Sequence, residues 1–221
     1  MRARTPVALA AITVALGCGG GGSSTGTTHT LTSLGLTSSS PNAYQFGPVT
    51  TLTATAKDQN GDAFNPGGAP TFSDPSGKVT FQGNNVQVVT PSGNSKVTAS
   101  WTAQGTTVTS DTVTLSLDVA PSNASVVATS GSSFNPITVD IKSGGTVSWS
   151  GLQTLGSGSL PHNVRFINAT PFNGDARNGA PGSEDAANGT FGSAGTYDYY
   201  CENHGFAGPP VSGMSGHVVV H

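Results

Sequence analysis

An all-β fold is what this 221-residue chain predicts, and three observations point to it. Charged residues make up only 9% of the chain, while glycine occurs 31 times and proline 14 times, a composition suited to short strands joined by many turns. Apolar residues recur at every second position in runs such as TTLTATAKD, KVTFQ, SKVTASWTA and TVTLSL. Sustained helical spacing of apolar residues is missing, so no long helix is expected. The length leaves room for one large or two small domains.

The N-terminus, MRARTPVALAAITVALGC, sets Arg2 and Arg4 before an apolar run from Pro6 to Leu16. That is an export-signal pattern, and the run is too short to span a bilayer. Its end, Ala15-Leu16-Gly17-Cys18, resembles the lipobox of bacterial lipoproteins, with Ala15 and Leu16 in reversed order. The resemblance implies a signal peptide over residues 1–17 and a diacylglycerol on Cys18, which anchors the chain to a membrane. Ordinary cleavage among the small residues around Gly17 to Gly22 is the alternative. Removing residues 1–17 takes away Arg2 and Arg4 and leaves six basic against eleven acidic side chains, a net charge of −5. Such mild acidity argues against nucleic acid and against a polybasic membrane contact. Residues 18–29, GGGGSSTGTT in their middle, form a Gly/Ser-rich tether with a root-mean-square span of roughly 15 to 20 Å. His29 at its end has no neighbouring ligand and is expected in solvent.

Residues 30–120 carry strand after strand, with the Asn60-Gly61 pair marking a tight turn. The phrases LTATAKDQNGDAF, PTFSD and KVTASWTAQGTTVTSDTVTLSL resemble the bacterial Ig-like domains of surface proteins, which implies an Ig-like β-sandwich. No cysteine occurs in this stretch, so the core relies on apolar packing, with Trp101 expected inside. It holds no catalytic constellation. Pro121, Ser122 and Asn123 break the strand pattern and mark the boundary of a second domain, residues 121–221. In FNPITVDIKSGGTVSW, Val139 and Ile141 share one face, Gly144-Gly145 makes a turn, and Val147 and Trp149 share one face of the next strand.

Chemistry concentrates in the last quarter. GTYDYYCENHGFAGPPVSGMSGHVVVH brings Cys201, His204 and Met214 onto one loop, and His162 stands upstream in SLPHNVRF. Two imidazoles, a thiol and a thioether form a soft donor set that favours copper. A structural zinc site usually takes four Cys and His ligands in paired spacings, and only one thiol and no second pair stands nearby. A Cys/His nucleophile would leave Met214 and the second histidine without a role, and a buried thiol with surface histidines is the plain reading of any one of these residues taken alone. At PHNV, GTYDYYC, the Cys-x-x-His step and GMSGHVVV, the chain resembles the cupredoxins of the plastocyanin and pseudoazurin kind. The resemblance covers about one hundred residues and implies a Greek-key β-barrel or sandwich holding one type 1 copper. It assigns His162, Cys201 and His204 to the trigonal plane and Met214 to the weak axial position. It also makes Asn163 the residue whose hydrogen bonds tie the ligand loops together.

The pattern departs from the plastocyanin kind in one place, since GFAGPPVSG separates His204 from Met214. These extra residues, Phe206, Pro209, Pro210 and Val211 among them, suit a cover over the His204 edge or a wider apolar docking patch. FNGDARNGAPGSEDAANG is a long polar loop in which Asp175, Glu184 and Asp185 are expected in solvent. His217 and His221, four apart in the last strand, share a face but lack a third ligand, and are expected at the surface. Five histidines cannot supply a trinuclear copper centre beside a type 1 site, so the chain is expected not to be an enzyme. What the resemblances imply together is a lipid-anchored one-electron carrier at the bacterial cell envelope, periplasmic or on the cell surface, serving redox partner proteins. A copper-sequestering or copper-delivery protein would use the same ligands. A surface adhesion or scaffold protein with a cupredoxin module is the third reading.

Overall fold

Alternation along each strand decides which side chains meet in the interior. The computed structural model describes residues 28–156, 158, 160–167 and 186–221, and among these it forms seventeen strands. The expected signal peptide, Cys18, most of the tether, and Asp175, Glu184 and Asp185 lie outside the described residues.

The first nine strands are β1 (Leu31–Ser38), β2 (Asn42–Tyr44), β3 (Leu52–Asp58), β4 (Thr71–Ser73), β5 (Val79–Gln82), β6 (Asn85–Val88), β7 (Asn94–Ala103), β8 (Thr106–Thr109) and β9 (Val113–Asp118). They pair as β1-β3, β5-β6 and β2-β9-β7-β4, with β8 added to β7. Leu52, Val97 and Leu115 are wholly enclosed, with Ala43, Val79 and Val86 around them. Trp101 is not in that core. It has the inward phase of Val97 and Ala99 but stands near the end of β7, half-buried over a smaller cluster with Leu31, Leu34 and Ala56. There its indole N–H donates to the Gly67 carbonyl at 2.9 Å, a partner that an enclosed position among aliphatic groups would not supply.

His29 is exposed, as expected, with 53% of its side chain in solvent, but it is not without a partner. It bonds the carboxylate of buried Asp58, whose other oxygen accepts the backbone N–H groups of Asn60 (2.8 Å) and Asp62 (3.0 Å). The Asn60-Gly61 turn is thus built around one carboxylate, and its neighbour Gln59 holds Thr28 and Thr30. The hydrogen bond from His29 and those from the two backbone amides outweigh burial and hold Asp58 below the usual carboxylate range.

The remaining strands are β10 (Asn123–Thr129), β11 (Ser133–Asn135), β12 (Thr138–Ile141), β13 (Gly145–Ser150), β14 (Arg165–Phe166), β15 (Ala186–Phe191), β16 (Gly195–Phe206) and β17 (Ser212–Val220). They make two four-stranded sheets, β11-β10-β13-β15 and β12-β17-β16-β14. The pairs β10-β13 and β12-β17 are parallel, so the chain crosses between sheets rather than turning back within one. Between the sheets lie Val139, Ile141, Val147 and Trp149, in the phase their sequence implies, with Phe134, Phe191 and Tyr199. Trp149 and Tyr199 meet edge to face at 5.4 Å. Burial pushes the Tyr199 phenol far above its ordinary range, so it stays protonated. The two groups of strands meet where Lys142 pairs with Asp118 at 2.7 Å and Phe46 stacks on His221 at 3.9 Å.

A candidate metal centre at one end of the sandwich

The antiparallel ladder between β16 and β17 runs from Gly195↔Val220 to Tyr200↔Ser215, breaks, and resumes at Gly205↔Gly213. Cys201 and His204 lie inside that break, where the backbone is released from regular pairing. Cys201 keeps the inward phase of Tyr199 and is a free thiol with no exposed surface. His162 precedes β14, and the pairing of Arg165 with Tyr200 and Phe166 with Tyr199 brings it against the break. Its own N–H donates to the Leu152 carbonyl at 2.7 Å, and its side chain is only 1% exposed.

Three donor atoms converge there. His162 Nδ1 and His204 Nδ1 are 3.1 Å apart, and Cys201 Sγ is 3.9 Å from the first and 3.5 Å from the second. A triangle with these sides has a circumscribed circle of radius about 2 Å, so a single point stands at a metal–ligand distance from all three donors. No other His, Cys, Asp or Glu group of three converges this way among the described residues. His162 is also set in one tautomer. Its Nε2 lies 3.0 Å from the Thr129 carbonyl, which can only accept, so Nε2 carries the proton and Nδ1 turns a lone pair inward. Burial, and then the neighbouring His204, hold His162 below the usual imidazole range against the pull of that carbonyl. The ring is therefore neutral near pH 7, as ligation requires.

Met214 is 1% exposed and packs in the same core cluster as Cys201. It follows Gly213, which pairs with Gly205, so it faces the ligand break from the opposite strand. Gly213 has a φ of 72°, and a Cβ there would come within 2.6 Å of the His204 carbonyl, so this close crossing requires glycine. Of the extra residues in the loop, Val211 is buried and Phe206 is 72% exposed.

Asn163 bridges the His162 and Cys201 segments. Its Oδ1 accepts the Glu202 backbone N–H at 2.7 Å, and its Nδ2 donates to the Glu202 carboxylate at 2.8 Å. Four further contributors escaped sequence reasoning. Thr129 acts through a backbone carbonyl, which no side-chain pattern advertises. Glu202 and Arg165 form an ion pair at 2.8 Å beside the site; the adjacency of Glu202 to Cys201 was the available signal. Gly156 packs where a Cβ would meet Ser132 Oγ at 2.5 Å, His162 Cε1 at 2.6 Å and His204 Cε1 at 3.0 Å, so its missing side chain is the floor under both imidazoles.

His217 and His221 each take a carboxylate of their own, Asp198 at 2.7 Å and Asp140 at 2.8 Å. Four residues of strand separate them by about 13 Å, too far to share an ion.

A two-sheet β-sandwich with a buried thiol and two imidazoles converging at one end defines a small soft-metal protein of the copper-binding class. Comparison with known proteins gives the family. Residues 121–221 match the copper binding proteins of the plastocyanin/azurin family. Amicyanin of Paracoccus versutus is 35% identical over 123 residues, 56% of this chain and 83% of the amicyanin. The chain belongs to this family, whose cofactor is copper and whose members are of the electron-carrier type. Among solved structures, a pseudoazurin from Sinorhizobium meliltoi aligns at 19% identity over 45% of this chain and 73% of its own, with a TM-score of 0.28. Auracyanin from Roseiflexus castenholzii aligns at 13% identity over 46% and 98%, with a TM-score of 0.29. At those scores neither likeness bears on the site.

Proposed function

We propose that the chain is a one-electron carrier of the bacterial cell envelope in which His162, Cys201 and His204 would hold one type 1 copper, with Met214 as a fourth, weaker ligand. The observation that carries this reading is the donor triangle, with His162 fixed in the ligating tautomer. When bound, copper supplies the Cu(I)/Cu(II) couple. The protein's part is to hold its donors still and dry. Cys201, His162 and Met214 are enclosed by the sandwich core, the Thr129 carbonyl orients His162, and Gly156 packs against both rings. A site whose ligands cannot rearrange changes little between oxidation states, which favours rapid exchange.

His204 is the one partly exposed donor. Leu155, Leu160 and Phe206, which flank Gly156, His162 and His204 within two residues along the chain, are exposed and would supply an apolar rim through which an electron leaves toward a redox partner protein. Cys18 carries the lipid anchor, and the N-terminal strands are an Ig-like spacer between membrane and metal domain. Titration of the purified protein with Cu(II) is expected to raise an intense thiolate-to-copper charge-transfer band that saturates at one equivalent. A colourless protein at saturation would sink the reading. Cys18→Ala is expected to leave the membrane fraction; its retention there would refute the anchor. Repeated redox cycling beside a Cu(I) chelator separates carrier from delivery protein. A carrier keeps its copper, whereas loss of most of it on reduction would favour delivery.

A further inference from the structure

We propose that Glu202 is a positioning residue of the metal centre, its carboxylate locking the His162 segment to the Cys201 segment and, with Arg165, balancing the charge beside the thiolate. The inference rests on the copper reading above. Residues 201–204 lie in the break of the β16-β17 ladder, so regular backbone pairing does not fix them relative to β17. Side-chain bonds take its place. Glu202 follows Cys201 and Asn163 follows His162, and the two residues bond reciprocally. The Glu202 backbone N–H donates to Asn163 Oδ1, and Asn163 Nδ2 donates to Glu202 Oε2. Because the amide oxygen must face the N–H, its NH2 group must face an acceptor, and the carboxylate is that acceptor. The other oxygen, Oε1, takes Arg165 Nη1 at 2.8 Å from β14, the strand whose pairing with Tyr200 already brings His162 to the site. Asn203 Nδ2 adds a parallel tie to the Pro161 carbonyl at 2.6 Å.

Two consequences follow from this arrangement. Asn163 is buried, so an apolar residue at 202 leaves its NH2 donor without a partner and frees the two ligand segments to shift. The carboxylate sits one residue from the thiolate and is matched by a single guanidinium, so removing either charge leaves the other acting on the metal. A negative charge beside the site favours the more positive oxidation state, and a positive charge disfavours it. Both side chains are about 40% exposed, so the effect is screened by salt.

The test uses the full chain loaded with Cu(II) and the variants Glu202→Gln, Arg165→Gln, the double variant and Glu202→Ala. Glu202→Gln is expected to raise the reduction potential and Arg165→Gln to lower it, with the double variant returning close to wild type and all shifts shrinking in high salt. Glu202→Gln keeps an acceptor and is expected to keep the charge-transfer band. Glu202→Ala is expected to shift the band, weaken copper retention about tenfold and lower the melting temperature of the metal-free protein below that of Glu202→Gln. Shifts of the same sign in the two single charge variants, or none in either, overturn the charge role. A Glu202→Ala protein matching wild type in band and metal-free melting overturns the positioning role. Should that variant fail to fold, the Gln variants still decide the charge role, and metal-free melting of Asn163→Ala, expected to fall equally, decides the clip. A wild-type protein with no band refutes the copper reading and this proposal with it.

Discussion

The two groups of strands bury polar side chains to opposite ends. In the first, Asp58 is enclosed and saturated, since its two oxygens take His29, the Asn60 N–H and the Asp62 N–H, and nothing about it is left to react. In the second, the outward nitrogen of His162 is satisfied by Thr129, while its inward nitrogen converges with His204 Nδ1 and Cys201 Sγ on one point. A buried polar group whose partners all lie within the fold fastens that fold. A group of lone pairs held toward a common centre is waiting for a cation. Burial alone does not separate the two cases; the direction of donors and acceptors does.

The sharpest way to break the comparison is Cys201→Ser. It removes the soft thiolate, so the charge-transfer band should vanish completely while the far-ultraviolet circular dichroism of the β fold is retained. A surviving band would mean the thiol is not a ligand. Gly156→Ala comes next. Its new methyl group would stand within 2.6 Å of His162 Cε1 and 2.5 Å of Ser132 Oγ, so backbone or imidazole must move. Overpacking of this kind costs about 1 to 3 kcal/mol. A lower melting temperature of the metal-free protein and weaker copper binding in competition with a chelator are expected, and an unchanged protein would show that the floor under the imidazoles yields freely.

Met214→Leu is a smaller change, nearly conserving volume, with a stability cost below about 1.5 kcal/mol. As a weak axial donor favouring Cu(II), Met214 should leave the blue colour intact on removal while the potential rises. A potential that does not move would assign the axial role elsewhere in the loop.

How much of this was legible in the residues depends on what each one needs. Strands β12 and β13 were, because Val139, Ile141, Val147 and Trp149 declare their inward face by strict alternation, whereas β15 was not, since residues 186–189 read as the end of a polar loop and pair with β13 through their backbone. His162, Cys201 and His204 stood out because with Met214 they make up a soft donor set and the motifs around them resemble those of the cupredoxins, and the pairing Arg165↔Tyr200 brings His162 to the other two. Trp101 misled because phase gives the direction of a side chain but not its depth, and its indole N–H drew it to the Gly67 carbonyl at the edge. His29 is exposed as its isolation implies, but its bond to Asp58 was not legible, because that partner lies 29 residues away in sequence. Thr129 and Gly156 were invisible for a simpler reason, since a backbone carbonyl and a missing Cβ have no residue-type signature.

The smallest expected effect concerns the structural carboxylate, and it distinguishes fastening from ligation by pH. The Asp58 carboxyl is held below its ordinary range chiefly by His29, so it stabilises the folded state wherever the unfolded carboxylate is also ionised, above about pH 4. That contribution is lost as pH falls through the folded value, because the native state must then take up a proton at the expense of its bonds. Asp58→Ala should therefore lower the melting temperature at pH 7, and the gap from wild type should narrow as pH falls below the ordinary carboxylate range. The variant and wild type have to be compared at each pH. Asp118, lowered by its bond to Lys142, and Asp74, where burial opposes Ser76 and the backbone amides, lose stability over the same range in both proteins. Copper loading and band position should be unaffected by Asp58→Ala at pH 7, since Asp58 belongs to the other group of strands. A gap that stays constant with pH would show that Asp58 acts by packing rather than by charge, and a shifted band would show that the two regions are coupled.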